Sequence, residues 1–279
     1  GMTGRLRVVV VGGGVIGLAV AWRCAAAGDE VCLIDPEPGR GASWVAGGML
    51  APVAEVAPSE QPLLRLGLAS RARWPAFAEQ LARASDRELA YTTNGTLVVA
   101  RDDDDVSMLG RLARLQRSFG LDPVELEPRA ARRREPALAP GLRGALWLTG
   151  DHQVDNRLLV QALLTACERS GVVIDRRRVG AVHDGSVTLE DATEREVDVV
   201  VLATGATPVR VESAGQVLEV PIRPVKGQIL RVQDNGRAVL PAHTVRGLDV
   251  YVIPRPHGEI AIGATTEDVG ADTTVTTGA

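Results

Sequence analysis

Gly12-Gly13-Gly14-Val15-Ile16-Gly17 stands directly after the β-branched run Leu6-Arg7-Val8-Val9-Val10-Val11, and an acid, Asp35, closes the next apolar run, Val31-Cys32-Leu33-Ile34. This order of residue types suits the diphosphate of a dinucleotide. Gly12 permits a tight strand-to-helix turn, Gly14 lets a pyrophosphate reach the backbone, and Gly17 lets the helix pack close to the strand. Val15 and Ile16 open the helix, whose unpaired N–H groups and dipole favour an anion. Asp35 is placed to accept from ribose hydroxyls, and its charge disfavours a 2′-phosphate, which argues against NADP. A glycine pattern alone is weak. Here it follows a strand, opens a helix and has its acid about 20 residues on, which makes it specific.

The elements that position these residues are legible as well. A continuous β-branched run is expected of a strand buried on both faces of a parallel sheet. Residues 18–27 are good helix formers, stopped by Gly28 at the C′ position. After Asp35-Pro36, the stretch from Gly39 to Pro52 offers small residues where a helix begins. Ser43 reads as its N-cap, and Ala46, Gly47 and Gly48 leave room for a large planar ligand. Residues 197–202 read as another buried strand, ending in Ala203-Thr204-Gly205-Ala206, which suits a backbone pressed against a ligand. The glycine turn with Asp35 leaves NAD and FAD open; these two later segments favour FAD.

Elsewhere, Leu64, Leu68, Trp74, Phe77 and Leu81 give residues 61–84 a helical pattern after Pro58-Ser59-Glu60. Residues 91–100 alternate around Asn94-Gly95 as a hairpin would. Helical stretches are expected at 106–119, 128–134 and 155–171, with Gly171 as the last one's stop, and strands at 142–148 and 172–174. Helices and hairpins between βαβ pieces read as an insertion into a nucleotide-binding fold. Asp102 to Asp105 read as a solvated loop and helix start, and Arg132-Arg133-Arg134 as a solvated helix face.

The chain of 279 residues is 45% hydrophobic with a formal net charge of −4, enough for a sizeable core in one or two domains. That charge gives no reason to expect nucleic-acid or acidic-membrane partners. The longest apolar stretch, residues 8–21, is broken by three glycines and is too short to span a bilayer. Cys24, Cys32 and Cys167 lack metal-ligand spacing and read as buried thiols in a reducing compartment, so the expectation is a cytoplasmic protein without a metal site. Gly1-Met2 reads as a remnant of tag removal. No Ser/His/Asp or Cys/His constellation for nucleophilic catalysis is present.

The glycine turn, Asp35, Ala42-Ser43 with Gly47-Gly48-Met49-Leu50-Ala51-Pro52, Ala203-Thr204-Gly205-Ala206, Pro224-Val225-Lys226-Gly227-Gln228, Tyr251-Val252-Ile253-Pro254-Arg255 and Gly263-Ala264-Thr265 follow one another along the whole chain. Together they resemble the D-amino-acid oxidase superfamily of flavoproteins, and within it most the glycine oxidase type of thiamine biosynthesis. The resemblance implies an α/β fold: a Rossmann-like FAD-binding domain from 1–90 and 150–220, with an inserted, mainly antiparallel α+β substrate domain from 91–149 and 221–279. It implies FAD as cofactor, glycine or another small amino acid as substrate, dioxygen as acceptor, hydrogen peroxide as product, and self-association.

The same resemblance carries the cofactor role to Gly12, Gly14, Gly17, Asp35, Pro36, Ser43, Gly47, Gly48, Met49, Ala203, Thr204 and Gly205, with Val15, Ile16, Ala42 and Ala46 beside them. It also carries it to Val179, whose backbone would face the adenine. Tyr251 is expected at the substrate carboxylate and Met49 near the flavin ring; by residue type alone, either is as readily a packing residue. Lys226 and Arg255 are read as raising the positive potential for an anionic substrate, with a structural role for Lys226 as the equal alternative. Thr266, where the family often has methionine, and Asp249, where it can have histidine, depart from the pattern in the pocket. The resemblance further implies a segment beyond residue 279 that supplies an arginine for the substrate carboxylate and a glycine-rich flavin loop. A sarcosine-, D-amino-acid- or proline-type flavin enzyme, an NAD-dependent dehydrogenase and an inactive FAD-binding piece are the alternative readings.

Overall fold

A computed structural model of the chain describes residues 4–54, 60–237 and 239–278. Gly1-Met2 and the expected helix lead-in Pro58-Ser59 lie outside the described residues. Four parallel strands form the sheet beneath the glycine turn, in the order Val199–Leu202, Arg7–Val11, Glu30–Ile34, Val173–Asp175. Val8 and Val10 point into a core made with Leu18, Trp22, Leu81 and Leu163 from the helices Val15–Ala26, Gln61–Ser85 and Asn156–Arg169. Val9 and Val11 point the other way, onto Val179, Val182, Val187 and Leu189 of a five-stranded sheet. Both faces of the first strand are covered, which is why its sequence shows no alternation.

A seven-stranded sheet carries the second half of the molecule, in the order Ile229–Gln233, Glu259–Gly263, Tyr251–Pro254, Thr244–Arg246, Thr96–Ala100, Gly144–Leu148, Val124–Leu126. It is antiparallel except where Thr244–Arg246 meets Thr96–Ala100. The helix Asp103–Ser118 covers Val98, Ala100, Leu146 and Leu148, while Ala131 of Pro128–Arg134 packs with Leu97, Val99 and Trp147. These are alternate residues, so the two helices lie on opposite faces. Met49–Leu50 pairs with His152–Gln153 in a small sheet of its own.

Several expectations are corrected. Asn94-Gly95 does not close a hairpin: Thr92 bridges Gln153, and Thr96–Ala100 pairs with Gly144–Leu148 and Thr244–Arg246. Gly95 instead turns the chain beneath Trp147, where a Cβ would come within 2.4 Å of the ring. The strand Val199–Leu202 is a sheet edge and only half covered, with Val199 39% and Leu202 41% exposed. An apolar run does not distinguish edge from centre. Asp105 is buried, not solvated, and accepts the Arg101 N–H at 2.8 Å, while Asp102 caps the helix through the Asp105 N–H at 2.8 Å. Cys24 and Cys32 are only partly buried; Cys167 is fully so.

Burial pushes the Cys167 thiol up to about 12, and its Sγ donates to the Leu18 carbonyl at 3.3 Å across the helix pair. A thiol without thiolate character is unreactive. Alkylation at mildly alkaline pH followed by peptide mapping is expected to leave Cys167 unmodified in the native protein and to label it in denaturant.

Candidate active site

The strand order reverses beside Arg7–Val11: the chain proceeds to Glu30–Ile34 and Val173–Asp175 on one side and later returns to Val199–Leu202 on the other. Ligands of open α/β sheets sit at the carboxyl ends of the strands flanking such a reversal. Gly12–Gly14 and Ala203–Gly205 occupy those two ends, joined by the Ala203 N–H donating to the Val11 carbonyl at 2.8 Å. The approach is close. Gly12 has φ +102°, and a Cβ on it would lie 2.3 Å from the Ala203 carbonyl oxygen; one on Gly17 would lie 1.9 Å from that of Gly12. Thr204 is half-buried, Gly205 exposed, and Ile16 stands 67% exposed at the helix start.

Asp35 holds the turn from the neighbouring strand. Its Oδ2 accepts the Gly13 N–H at 2.6 Å and its Oδ1 the Glu37 N–H at 2.7 Å. An ionised carboxylate has about four acceptor positions, so two remain for hydroxyl donors. Val179, buried, packs with Ile34 directly beneath, and the Asp35 N–H donates to the Asp175 carbonyl at 3.0 Å. An open cleft bordered by Pro36, Arg177 and Asp191 continues from there. Arg177 bonds Asp175 at 2.7 Å and Asp191 at 2.8 Å there, and the Arg177 guanidinium holds the Asp175 carboxyl below the usual carboxylate range.

Ser43 is not an N-cap. Gly41, with φ +68°, precedes the short helix Ala42–Val45, and Ser43 is that helix's second residue. Its Oγ reaches across to accept the Val15 N–H at 2.9 Å, satisfying one of the orphan donors at the start of Val15–Ala26. A side-chain cap supplied from about 28 residues away has no local signature in the sequence.

On the substrate side, the Tyr251 ring lies over Gly263 on the adjacent strand, where a Cβ would come within 2.5 Å of the phenol oxygen. The same ring stands beside Gly47, 3.3 Å from where a Cβ would be. The seven-stranded sheet therefore meets the residues 46–48 loop at Tyr251. Met49 packs toward the core of Ala51, Leu64, Val98 and Leu146. Asp249 turns outward to Arg101 at 3.2 Å, and Thr266 is exposed.

Lys226 and Arg255 do not supply free charge for a substrate. Lys226 is nearly buried between Glu267 at 3.7 Å and Asp272 at 3.8 Å. Arg255 is 7% exposed and spends its donors on the Val154 carbonyl at 2.6 Å, the Gly47 carbonyl, Gln153 Oε1 at 3.3 Å and Asn156 Oδ1 at 3.2 Å. Asn156 and Arg231 join this cluster and were not legible beforehand. Asn156 follows the helix cap Asp155 and looks like an ordinary first-turn residue. Arg231 faces inward from a strand whose Leu230 and Val232 are exposed, the reverse of the usual alternation.

Residues 7–279 match the profile of the family described as FAD dependent oxidoreductase. The chain belongs to that family. It is 33% identical over 287 residues to the glycine oxidase of Geobacillus kaustophilus, covering 99% of this chain and 74% of that protein. It is 30% identical over 274 residues to the bifunctional protein ThiO/ThiG of Trichormus variabilis, covering 94% of this chain. The chain thus spans about 40% of that bifunctional relative. The crystal structure of the Geobacillus kaustophilus glycine oxidase superposes with a TM-score of 0.86 at 28% identity, covering 98% of this chain and 75% of that one.

Membership of this family decides the dinucleotide for FAD over NAD. The residues present suit that cofactor: an exposed helix N-terminus at the strand reversal, an acid with acceptor positions to spare, and small residues at 46–48. Among the described residues no helix is long and apolar enough to cross a membrane, and no group of His, Cys, Asp or Glu is arranged to hold a metal ion.

Two outcomes follow from this geometry. Gly17→Ala forces a methyl into the Gly12 carbonyl, and overpacking of this kind costs about 1–3 kcal/mol, read as a lower urea midpoint. Asp35→Ala removes the ribose acceptor and is expected to weaken FAD at least tenfold, about 1.4 kcal/mol, in a fluorescence titration of the apoprotein.

Proposed function

We propose that this chain oxidises glycine, or another small amino acid of similar size, to the imine with release of hydrogen peroxide, and that the product serves thiazole formation for thiamine. The observation that carries the reading is the placement of the Tyr251 phenol against Gly47, which brings the substrate sheet to the loop assigned to the flavin ring. The identity to glycine oxidases and to ThiO/ThiG proteins supports it. In this reading residues 1–90 and 150–220 form the FAD-binding part, and 91–149 with 221–279 the substrate part.

The chemistry that FAD supplies when bound is acceptance of a hydride from the substrate α-carbon, with dioxygen as the final acceptor. The chain's own residues bind and orient. Gly12, Gly14, Val15, Ile16 and Gly17 present the helix start to the diphosphate, and Asp35 with Pro36 and Val179 borders the adenosine end. Ala42, Ser43, Ala46, Gly47, Gly48 and Met49 line the ring side, with Ala203, Thr204 and Gly205 opposite. Tyr251 offers one hydroxyl donor to the substrate carboxylate, and its ring helps to exclude water. Holding the α-carbon in line with the ring is the protein's main contribution to such a reaction.

A peroxide assay of the FAD-loaded protein across glycine, sarcosine, D-alanine and D-proline tests the reading. Glycine is expected to give the highest kcat/KM; peroxide from none of the four counts against it. Tyr251→Phe removes a hydrogen bond to a charged group, worth about 1.5–3 kcal/mol. KM for glycine is therefore expected to rise by about tenfold or more while the flavin absorption bands stay in place.

A further inference from the structure

The carbonyl oxygens of Ser43, Trp44, Ala46, Gly47 and Gly48 are held by residues from the 154–156 stretch and the seven-stranded sheet. Asn156 Nδ2 donates to the Ser43 carbonyl at 2.8 Å and the Trp44 carbonyl at 3.0 Å. Arg231 Nη2 donates to the Ala46 carbonyl at 3.0 Å, Arg255 Nη2 to that of Gly47, and the Val154 N–H to that of Gly48 at 2.9 Å. Asn156 Oδ1 accepts from Arg231 at 2.8 Å and from Arg255 at 3.2 Å, which links the two guanidinium groups.

In a trans peptide the C=O and the following N–H point in opposite directions. Fixing the Ala46 and Gly47 carbonyls toward the arginines therefore fixes the N–H groups of Gly47 and Gly48 away from them. Among the described residues neither N–H has an acceptor, although Gly47 is buried. Buried backbone donors are nearly always paired, so the Gly47 N–H, with the half-buried Gly48 N–H beside it, points to a ligand with acceptors along one edge.

We propose that Arg255 and Arg231, coupled through Asn156, are positioning residues for the flavin: they hold residues 46–48 so that the Gly47 and Gly48 N–H groups face acceptors on its ring. The inference rests on the placement of the flavin ring against this loop under the proposed function and not on which amine is oxidised. The hydrogen bonds act in the same sense: N–H groups held on the ring's acceptors bond the electron-rich, reduced ring more strongly than the oxidised one, so a loosened loop lowers the potential.

The test uses the full chain and its Arg255→Lys and Arg231→Met variants, with Arg231→Lys as the conservative control. Each apoprotein is melted and then titrated with FAD, and the visible spectrum and reduction potential of the bound flavin are recorded. The expected result is an FAD Kd raised at least tenfold in Arg255→Lys and Arg231→Met, shifted visible bands and a lowered potential, with apoprotein melting unchanged and partial recovery in Arg231→Lys. Wild-type Kd, spectrum and potential in both variants would overturn the proposal, as would FAD loss that tracks a fall in apoprotein melting, or a wild-type chain that takes up no FAD. If Arg255→Lys does not fold, Arg231→Met, nearer the surface, decides by the same readouts. None of these measurements involves an amine, so a negative glycine assay beside shifted flavin properties removes the substrate reading alone.

Discussion

Three backbone segments meet with no side chain between them at the carboxyl end of the parallel sheet. Gly12, Gly17 and Ala203 come so close that a single added methyl at either glycine would collide with a carbonyl oxygen. Because the first strand, the first helix and the returning strand Val199–Leu202 can touch there, the helix N-terminus and the end of the returning strand face one crevice. Everything that recognises the dinucleotide is arranged around that contact. Asp35 can bond the Gly13 N–H only because the turn is this tight, and Ser43 can reach the Val15 N–H only because the next segment packs across it.

The segment from Ala42 to Leu50 is the seam between the nucleotide sheet and the seven-stranded sheet. Trp44, Met49 and Leu50 pack into the flanking cores, but Ala46, Gly47 and Gly48 between them have no large side chain to bury, so burial cannot hold that stretch. Polar side chains do so instead, arriving from the helix Asn156–Arg169 and from the strands around Tyr251–Pro254. Hydrogen bonds from ionised donors to main-chain carbonyls are stronger than neutral ones, and burial strengthens them further. The loop is therefore held by polar groups that its own sequence does not contain.

Legibility in the sequence followed the range of the interaction. The unit from Arg7 to Asp35 is local: strand, turn, helix and second strand succeed one another, and each residue's role follows from its immediate neighbours. The stops at Gly28 and Gly171 were legible for the same reason, since a left-handed C′ residue is a one-position demand. The pairing of Thr96–Ala100 was not. Asn94-Gly95 is a strong local hairpin signal, yet the strand's partners come from residues 144–148 and 244–246, and close packing against Trp147 explains the glycine instead. Lys226 likewise reads as a functional charge until Glu267 and Asp272, far along the chain, pair with it, whereas Asp105 is bonded by its neighbours Arg101 and Asp102 and only its burial was not legible.

What the sequence by itself determined is the nucleotide-binding unit and the order of segments that builds a flavin-type site around it. Those are encoded by residue type and spacing at short range. Tertiary structure alone decided what the charged and polar groups do. Arg255, a cation near an expected substrate pocket, turns out to be spent on main-chain carbonyls; Ser43 caps a helix other than its own; Asn156 and Arg231 join the helix Asn156–Arg169 to the seven-stranded sheet. A guanidinium or hydroxyl takes its role from whichever acceptor the fold brings within about 3 Å, and the chain's order does not specify that distance.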